Sequence, residues 1–383
     1  MMTIPLSIYV HFPWCIEKCP YCDFNSYKYR EKDDFLQYTD ALCADIIASA
    51  KSSINRKIIS IFMGGGTPSL FPVRCINRVL QTIYREYDVA DDCEITMEMN
   101  PNTRRESLDH MHEVCATGIN RLSVGAQSFS NVHLKRLGRT HQACAIEQTF
   151  LDARQGGFTN INIDLMYGLP QQTLDEAMTD LDKALQLKPE HISWYHLTIE
   201  PNTIFSVHTP TLPTDNLMFS MMEQGQNLLS KDYYNYEVSA YARSMDKICQ
   251  HNRNYWLFGD YIGVGCGAHS KLSQRTQDGL QVMRYERHKT PKAYLLAPRH
   301  SMNSRFLMPK DLVFEYMLNR LRLQQSVDEA SFLEHTGLRF IDCQTQLAIA
   351  VEKGLVRVEQ DSFTILPLGR RFLNDLQGLF LPE

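Results

Sequence analysis

The chain has 383 residues, with 44% hydrophobic and 22% charged residues, which is ordinary for a globular protein and long enough for a barrel and a smaller unit. Its formal net charge of −5 gives no general reason to expect binding to nucleic acid, and we predict no nucleic-acid partner. No apolar run approaches membrane-spanning length and residues 1–7 lack the features of a signal peptide, so we expect a cytoplasmic location.

Eleven cysteines occur in the chain, and most of them are scattered singly. Such scatter favours reduced thiols in the cytosol over a disulfide framework. The exceptions are Cys15, Cys19 and Cys22, which have a C-x3-C-x2-C spacing in one short stretch. This stretch follows directly after a predicted strand at residues 6–10.

The three clustered cysteines predict an iron–sulfur site. A cubane cluster normally takes four thiolate ligands, so three local cysteines would leave one iron without a protein ligand. An open metal position is typical of a reactive site, whereas structural sites are closed. A structural zinc knuckle is the alternative interpretation. Zinc knuckles usually come in C-x2-C pairs, and the chain contains no second pair.

Strands and helices alternate through the first half of the chain. The predicted strands are residues 6–10, 58–63, 94–99, 121–124, 160–166 and 191–199. The predicted helices are residues 33–50, 73–84, a segment ending at residue 115, a segment from residue 142 to residue 156, and residues 174–187. Alternation of this kind implies a parallel sheet with helical crossovers. We therefore predict an α/β protein with a partial (β/α)6 TIM-like barrel, whose active-site groups come from the loops after the strands.

The pattern changes after about residue 205. The last part of the chain is mostly helical and then contains a predicted hairpin at residues 354–358 and 363–366, an order similar to that of a winged helix. Residues 301–383 contain nine Lys or Arg and eleven Asp or Glu, so no basic DNA-binding face is indicated. We divide the chain into a core barrel (1–235), a connecting segment (236–300) and a C-terminal winged-helix-like domain (301–383).

The cysteine motif and its flanks resemble radical S-adenosylmethionine (radical SAM) proteins. The residues Y-V-H-F-P-W before it and Y-C-D-F around its end are similar to the oxygen-independent coproporphyrinogen III dehydrogenase family, and most similar to its relatives that act as haem chaperones. The resemblance implies a radical SAM barrel that holds a [4Fe-4S] cluster on Cys15, Cys19 and Cys22. It also implies S-adenosylmethionine (SAM) as a cofactor.

A glycine-rich stretch, Gly64-Gly65-Gly66-Thr67-Pro68, follows the second predicted strand. Glycines allow a ligand to approach the backbone closely and leave N–H groups free to meet it. It is not a phosphate loop, because no Gly-Lys-Ser/Thr follows. Such turns are common, so the signal is weak by itself. Together with the cysteine motif it resembles the family loop that holds the amino and carboxylate end of SAM.

Four polar residues, Glu98, Gln127, Arg139 and Asp164, lie at or just beyond strand ends. A carboxylate such as Asp164 within an apolar strand is costly unless it has a partner. That partner is either a structural hydrogen bond or a ligand, and Arg139 has the planar fork that suits a carboxylate. The positions that match the family's cofactor contacts are Tyr9, Tyr21, Gly65, Gly66, Thr67, Glu98, Gln127, Arg139 and Asp164.

The segment H-N-R-N-Y-W at residues 251–256 is the other distinctive feature. Imidazole is a common axial ligand of haem iron, and aromatic rings can pack on a porphyrin face. A lone histidine is more often a surface or hydrogen-bonded residue. The haem-chaperone branch of the family carries H-N-x-N-Y-W at this place, so the resemblance implies haem as a further ligand. The implied haem-binding residues are His251, Asn252, Asn254, Tyr255 and Trp256.

Two departures separate this chain from the family members that oxidise coproporphyrinogen. Those enzymes resemble C-x3-C-x2-C-x-C, and Phe24 stands here in place of the last cysteine. They also carry a longer arm before the position of Tyr9. We therefore expect a haem chaperone that carries the cluster and SAM.

The alternative functional prediction is an oxygen-independent coproporphyrinogen III oxidase or dehydrogenase, which would make the protein an enzyme. A zinc-stabilised barrel without redox chemistry is a third, remote reading. The resemblance implies haem and a haem-accepting protein as partners, with a membrane-associated respiratory protein among the candidates. The resemblance is also compatible with a homodimer.

Overall fold

The computed structural model describes residues 4–53, 56–101, 108–277, 279–299 and 301–382. A single sheet of twelve strands dominates the described part of the chain, and two smaller sheets accompany it. The strands are β1 Leu6–Phe12, β2 Trp14–Cys15, β3 Tyr27–Lys28, β4 Lys57–Gly65, β5 Asp88–Met99, β6 Arg121–Gln127, β7 Ile161–Tyr167, β8 His191–His196, β9 Tyr234–Glu237, β10 Ala240–Ala242, β11 Asp260–Val264, β12 His269–Thr276, β13 Gly279–Arg287, β14 Ser301–Phe306, β15 Val327–Asp328, β16 Val356–Val358 and β17 Ser362–Ile365.

Helices cross between the parallel strands and make up most of the C-terminal region. They are α1 Phe35–Ser49, α2 Val73–Glu86, α3 Leu108–Ala116, α4 Asn131–Arg136, α5 Ala143–Gln155, α6 Leu174–Leu187, α7 Ile204–Val207, α8 Asp215–Leu229, α9 Gln250–Trp256, α10 Pro291–Leu296, α11 Pro309–Arg320, α12 Glu329–Thr336, α13 Gln344–Glu352, α14 Pro367–Arg371 and α15 Leu373–Gly378. The beginning of the predicted helix that ends at residue 115 falls on residues 102–107, outside the described residues.

The six predicted strands form the parallel core of the large sheet, which confirms the α/β fold class. The sheet order is β14-β13-β12-β11-β1-β4-β5-β6-β7-β8-β10-β9. Every neighbouring pair from β11 to β8 is parallel. The sequence did not indicate β11, which adds a seventh parallel strand beside β1. Several predicted boundaries also differ. The largest differences are that β5 starts earlier, at Asp88, β6 ends later, at Gln127, and β8 ends earlier, at His196.

The helices form because they have apolar faces to bury, and several also begin at a residue whose side chain caps the helix. On α2, Val79, Leu80 and Ile83 are fully buried and lie on one side of the helix. On α6, Thr173 accepts a hydrogen bond from the Glu176 N–H, and the Glu176 carboxylate accepts one from the Thr173 N–H. Such a capping box satisfies N–H groups that a helix start otherwise leaves unpaired. These helices cover one face of the sheet, so the other face is available for a site.

Antiparallel strands extend both sides of the parallel core. β9 and β10 form a hairpin on one side, and β10 pairs with β8. On the other side, β12, β13 and β14 continue the sheet from β11. Within the described residues, the two outermost strands, β14 and β9, do not pair with each other. The curved sheet is therefore a partial barrel with an opening along one side.

The C-terminal region is mostly helical and contains a small sheet of order β15-β17-β16, which includes the predicted hairpin. A separate apolar core lies between α11, α12, α13 and these strands. Phe258 and Val282 from the preceding region also belong to that core. The division at residues 235 and 300 stays a prediction. Among the described helices, none combines the length and the hydropathy needed to cross a lipid bilayer.

Candidate functional site

A cavity of about 1780 Å³ lies inside the curved sheet, at the face that the crossover helices leave uncovered. Alternate residues of the parallel strands face it, because side chains of a strand point alternately to its two sides. Polar residues dominate these positions, whereas bulky branched residues fill the interior of a closed (β/α)8 barrel. The inward residues include Tyr9, His11, Phe62, Glu98, Arg121, Ser123, Gln127, Asn162, Asp164, Ser193 and Tyr195.

The three clustered cysteines line one end of this cavity. Cys15 is the last residue of β2, and Cys19 and Cys22 lie in the loop between β2 and β3, which pair with each other and close the loop at its base. The Cys22 N–H donates to the Cys19 carbonyl at 3.1 Å, and the Phe205 N–H donates to the Pro20 carbonyl at 3.0 Å. Cys15, Cys19 and Cys22 are all free and partly exposed. The loop is therefore held in place while its thiols remain accessible.

The chemistry of these thiols fits an iron–sulfur cluster. Burial raises the pKa of the Cys15 thiol to about 11 and also raises the pKa of Cys22. Metals bind the thiolate, so a bound metal would supply the charge that stabilises it. No group of three His, Cys, Asp or Glu side chains among the described residues is arranged to hold a single metal ion. A cubane does not require such convergence, because each thiolate binds a different iron.

The glycine-rich stretch at the end of β4 packs directly against the strand that leads to the cysteines. Gly65 has a φ of 113°, and a Cβ there would lie 2.4 Å from Cε1 of His11. A Cβ on Gly66 would lie 2.7 Å from the carbonyl oxygen of Trp14. The Thr67 N–H donates to that same carbonyl at 2.9 Å. This close approach admits no side chain at either glycine and brings the loop beside the cysteines.

Glu98 and Asp164 form an acidic pair on the cavity wall. The Gly65 N–H donates to Oε2 of Glu98 at 3.1 Å. Burial, together with the charge of Asp164, raises the pKa of Glu98 to about 8. Burial also raises the pKa of Asp164, although Asn162 and Ser123 donate to it at 2.8 and 3.0 Å. Two carboxyl groups in this state favour a ligand that carries a positive charge or hydroxyl donors.

Arg139 lies beyond β6 and reaches back over the cavity. One terminal nitrogen donates to Oδ1 of Asn100 and to the Gly125 carbonyl, both at 2.8 Å, and the other lies 3.7 Å from Sγ of Cys19. Its Nε is buried and has no hydrogen-bond partner among the described residues. The guanidinium is thus oriented beside the cysteine loop and still has N–H groups that can donate to a ligand.

The remaining residues predicted to contact SAM also line the cavity. Gln127 has a φ of 68° and its Oε1 accepts a hydrogen bond from the Tyr195 hydroxyl at 2.7 Å. The hydroxyl of Tyr9 lies 3.0 Å from Nδ1 of His11. Tyr21, between two of the cysteines, faces the cavity as well. The structure therefore brings every predicted cofactor contact to one cavity, together with the three cysteines.

The H-N-R-N-Y-W segment forms the short helix α9 at the other end of the cavity. Oε1 of Glu94 accepts hydrogen bonds from the N–H groups of Gln250 and His251 at 3.0 and 3.3 Å. Glu94 lies on β5 and is buried. Its carboxylate satisfies N–H groups at the helix start and fixes the helix against the parallel sheet.

His251 is buried and lies on the wall of the cavity. Its Nδ1 lies 3.3 Å from Oγ of Ser60, and the ring stacks on Phe62 with 5.0 Å between centroids. Burial, together with the positive charge of Arg121, lowers the pKa of His251 to about 3. The imidazole is therefore neutral at physiological pH and keeps a lone pair.

Asn252, Tyr255 and Trp256 also line the cavity, but Asn254 does not. The amide of Asn254 is buried and donates to Oγ of Ser7 at 2.9 Å and to the Asp260 carbonyl at 3.0 Å. The structure therefore separates the predicted haem contacts: Asn254 ties α9 to β1 and β11, and the other four face the cavity. Spacing along the sequence did not distinguish the two asparagines.

Several residues of the site were not singled out in the sequence. They are His11, Glu94, Asn100, Arg121 and Tyr195, which line the cavity or hold residues that do. The available signal was the alternation of polar residues within apolar strands, as in Glu94-Ile95-Thr96-Met97-Glu98. In a one-sided sheet such alternation marks the solvent face. Here the polar face is the interior, because the sheet curves around it.

Known proteins resemble this chain in sequence and in fold. Residues 9–184 match the model of the radical SAM superfamily. The heme chaperone HemW of Haemophilus influenzae is 42% identical over 99% of this chain and 98% of its own length. The heme chaperone HemW of Escherichia coli is 41% identical over 99% of both chains.

Among solved structures, the coproporphyrinogen III oxidase HemN of Escherichia coli, a radical SAM enzyme, superposes with a TM-score of 0.83. It is 25% identical, and the match covers 99% of this chain and 91% of that one. The fold, the sequence identity over the full length and the cysteine motif all indicate the same family. The chain therefore belongs to the radical SAM superfamily and, within it, to the HemW family.

Proposed function

We propose that this protein is a haem chaperone, which binds haem in the cavity and transfers it to an acceptor protein. The observation that carries the proposal is that the helix with His251, Tyr255 and Trp256 faces the same cavity as the three clustered cysteines. The relatives that match over their full length are named heme chaperones, which supports the same assignment.

His251 is the proposed ligand of the haem iron. A neutral imidazole is the form that binds metal, and burial keeps His251 neutral. Histidine ligands usually hydrogen-bond through their second ring nitrogen, which orients the ring. Ser60 is placed to do this at Nδ1, while Nε2 has no partner among the described residues. Tyr255 and Trp256 supply aromatic surface for a porphyrin.

Membership of the radical SAM superfamily implies a [4Fe-4S] cluster and SAM. We propose that Cys15, Cys19 and Cys22 hold the cluster, which when bound supplies an iron with an open position. Glu98 and Asp164 would accept hydrogen bonds from the ammonium group and the ribose of SAM. The other proposed SAM contacts are Tyr9, Tyr21, Gly65, Gly66, Thr67, Gln127 and Arg139, of which Arg139 would bind the carboxylate.

The acceptor protein, the location and the oligomeric state belong to the same proposal. All eleven cysteines are free, which supports a reducing compartment such as the cytoplasm. A membrane-associated respiratory protein remains our candidate for the haem acceptor, and a homodimer is compatible with the sequence.

A second candidate function is the oxidative decarboxylation of coproporphyrinogen III, which the structural similarity to HemN favours. Against it, Phe24 replaces the additional cysteine of those enzymes. Phe24 is 58% exposed at the rim of the cavity. The sequence identity to HemN is also lower, at 25% against 42% for the HemW of Haemophilus influenzae.

A haem titration tests the proposal. The cluster is reconstituted without oxygen, and the Soret band is followed as haem is added to the wild type, His251→Ala and His208→Ala. We expect saturable binding, a loss of about tenfold or more in affinity for H251A, and no change for H208A, whose exposed ring lies outside the cavity. Absence of saturable binding to the wild type would refute the chaperone function. Stoichiometric protoporphyrinogen formed from coproporphyrinogen III, SAM and a reductant would favour the enzyme instead.

A further inference from the structure

Arg121 is a buried cation at the base of the cavity, and none of the predicted contacts to SAM or haem includes it. It is the first residue of β6, is 2% exposed and faces the cavity. Its Nε is buried without a hydrogen-bond partner. Its terminal nitrogens make no hydrogen bond to any described residue. The nearest carboxylate oxygen, Oε2 of Glu94, lies 3.9 Å from Nε, which is beyond hydrogen-bonding distance.

The other arginines of the cavity wall already have acceptors. Arg284 pairs with Glu315 at 2.6 Å, Arg322 with Glu237 at 3.1 Å, and Arg305 with Asp311 at 3.2 Å. Arg139 donates to an amide and a carbonyl oxygen at 2.8 Å. Arg121 is thus the one arginine of the described cavity wall that donates no hydrogen bond, although Nε of Arg139 and Nε of Arg322 also lack a partner. A guanidinium carries five N–H donors, and leaving them unsatisfied in a buried place costs free energy.

Glu94 does not remove this deficit. Its Oε1 already accepts hydrogen bonds from the N–H groups that begin α9. Asp164 is the other carboxyl group whose charge acts on Arg121. The carboxyl oxygens of Asp164 accept from Asn162 and Ser123 instead. Both carboxylates lower the cost of the buried charge, while the hydrogen-bonding edge of the guanidinium remains open to the cavity.

We propose that Arg121 binds a carboxylate of the ligand in the cavity, namely a propionate side chain of the porphyrin. This inference rests on the proposed haem-binding function. A carboxylate is the acceptor that matches a guanidinium, because its two oxygens can accept parallel N–H bonds. Arg121 acts as a specificity residue that distinguishes porphyrins with free propionates from porphyrins without them.

Both haem and SAM carry carboxylates, and the position of Arg121 favours a carboxylate of haem as its partner. Arg121 and Gln127 are the two ends of β6, so they are separated by about 20 Å at about 3.3 Å per residue. Gln127 and the glycine-rich loop lie at the end of the sheet that carries the cysteines. Arg121 lies instead on the side of His251, whose pKa its charge lowers.

The test compares haem with its dimethyl ester, in which both propionates are neutral. The Soret titration is done with both porphyrins on the wild type, Arg121→Gln, Arg121→Lys and Arg78→Gln. Arg78 is 54% exposed in its side chain and lies outside the cavity, so R78Q is the matched control. We expect the wild type and R78Q to bind haem about 10- to 100-fold more tightly than the ester. For R121Q we expect the two affinities to agree within about twofold, and for R121K an intermediate ratio.

The outcomes separate this inference from the haem-binding proposal. A wild type that binds neither porphyrin would refute both. A wild type that binds haem and the ester equally, or an R121Q variant that still discriminates like the wild type, would overturn the role of Arg121 and leave haem binding intact. Melting curves of each variant show whether it is folded. If R121Q does not fold, the test depends on R121K, which keeps the charge but lacks the planar guanidinium. An R121K variant that prefers haem over the ester as strongly as the wild type does would also contradict the inference.

Discussion

Burial controls the protonation of the acidic side chains around the proposed SAM site. Glu98 has a pKa of about 8, because it is buried near the charge of Asp164 and receives a hydrogen bond from the Gly65 N–H alone. At pH 7 this carboxyl is therefore mostly protonated when no cation is near. A bound ammonium group would favour the carboxylate, so binding of SAM and release of a proton are coupled.

We expect the binding of SAM to release up to one proton per molecule at pH 7. The affinity of the wild type should rise between pH 6 and pH 8 and level off above the pKa of Glu98. Calorimetry of the cluster-loaded protein in two buffers with different ionisation enthalpies measures the proton count. Glu98→Gln cannot release this proton and should bind SAM about 10- to 100-fold more weakly. An equal proton count for E98Q and the wild type would contradict the assignment.

At the scale of one element, the short helix α9 contains two asparagines in different surroundings. Asn254 is 3% exposed and holds the helix to Ser7 and Asp260. Gly259 leaves room for it, since a Cβ there would lie 1.9 Å from Oδ1 of Asn254. Asn252 is half-buried and faces the cavity. The structure therefore gives Asn254 a positioning role and leaves Asn252 available to a ligand.

The variants Asn254→Ala and Asn252→Ala test this division. N254A removes two buried hydrogen bonds, so we expect the free energy of unfolding to fall by about 1–3 kcal/mol. N252A should change it by no more than about 0.5 kcal/mol, while lowering the affinity for haem. Urea denaturation and the Soret titration measure the two effects. A stable N254A with reduced haem affinity would instead make Asn254 a direct contact.

At the scale of the whole molecule, a buried ionic network joins the parallel core to the antiparallel strands. Asp260 at the start of β11 accepts from Lys271 at 2.9 Å and from Arg56 at 2.8 Å. Lys271 also donates to the carbonyl of Phe258, a residue of the C-terminal core. Burial opposes ionisation of Asp260, but the charges of Lys271 and Arg56 lower its pKa below the usual value.

We expect Asp260→Asn to lower the free energy of unfolding by about 3–5 kcal/mol at pH 7, because Lys271 and Arg56 lose their counter-charge in a buried place. The lowered pKa means that Asp260 stabilises the protein above its unfolded-state pKa of about 3.9 and that this stabilisation is lost as the pH falls through the folded-state pKa. Denaturation at pH 7 and at pH 3 measures both effects.

The exposed pair Arg357–Glu359 is the control for that prediction. Its side chains are 65% and 55% exposed, so Glu359→Gln should change stability by less than about 1 kcal/mol. The difference between the wild type and D260N should narrow as the pH falls. A difference that is the same at both pH values, or no larger than that of E359Q, would contradict the structural role of the network.

The sequence alone determined the parts that depend on local spacing and period. The C-x3-C-x2-C motif, the glycine-rich turn and the six alternating strands are short-range patterns, and the structure places them in one α/β sheet and one cavity. The H-N-R-N-Y-W segment was likewise recognisable as a unit. Such features can be predicted from the sequence because residues that are neighbours in the chain form a turn, a strand or a cluster loop.

Only the tertiary structure decided which side chains share the interior. His251 meets Ser60 across 191 positions, and Asn25 reaches Cys266 across 241 positions. The place of β11 beside β1 and the different roles of Asn252 and Asn254 depend on such distant pairings. The position of the buried Arg121 on the cavity wall does too. No period in the sequence encodes them, because the curvature of the sheet determines whether a polar face meets solvent or encloses a ligand.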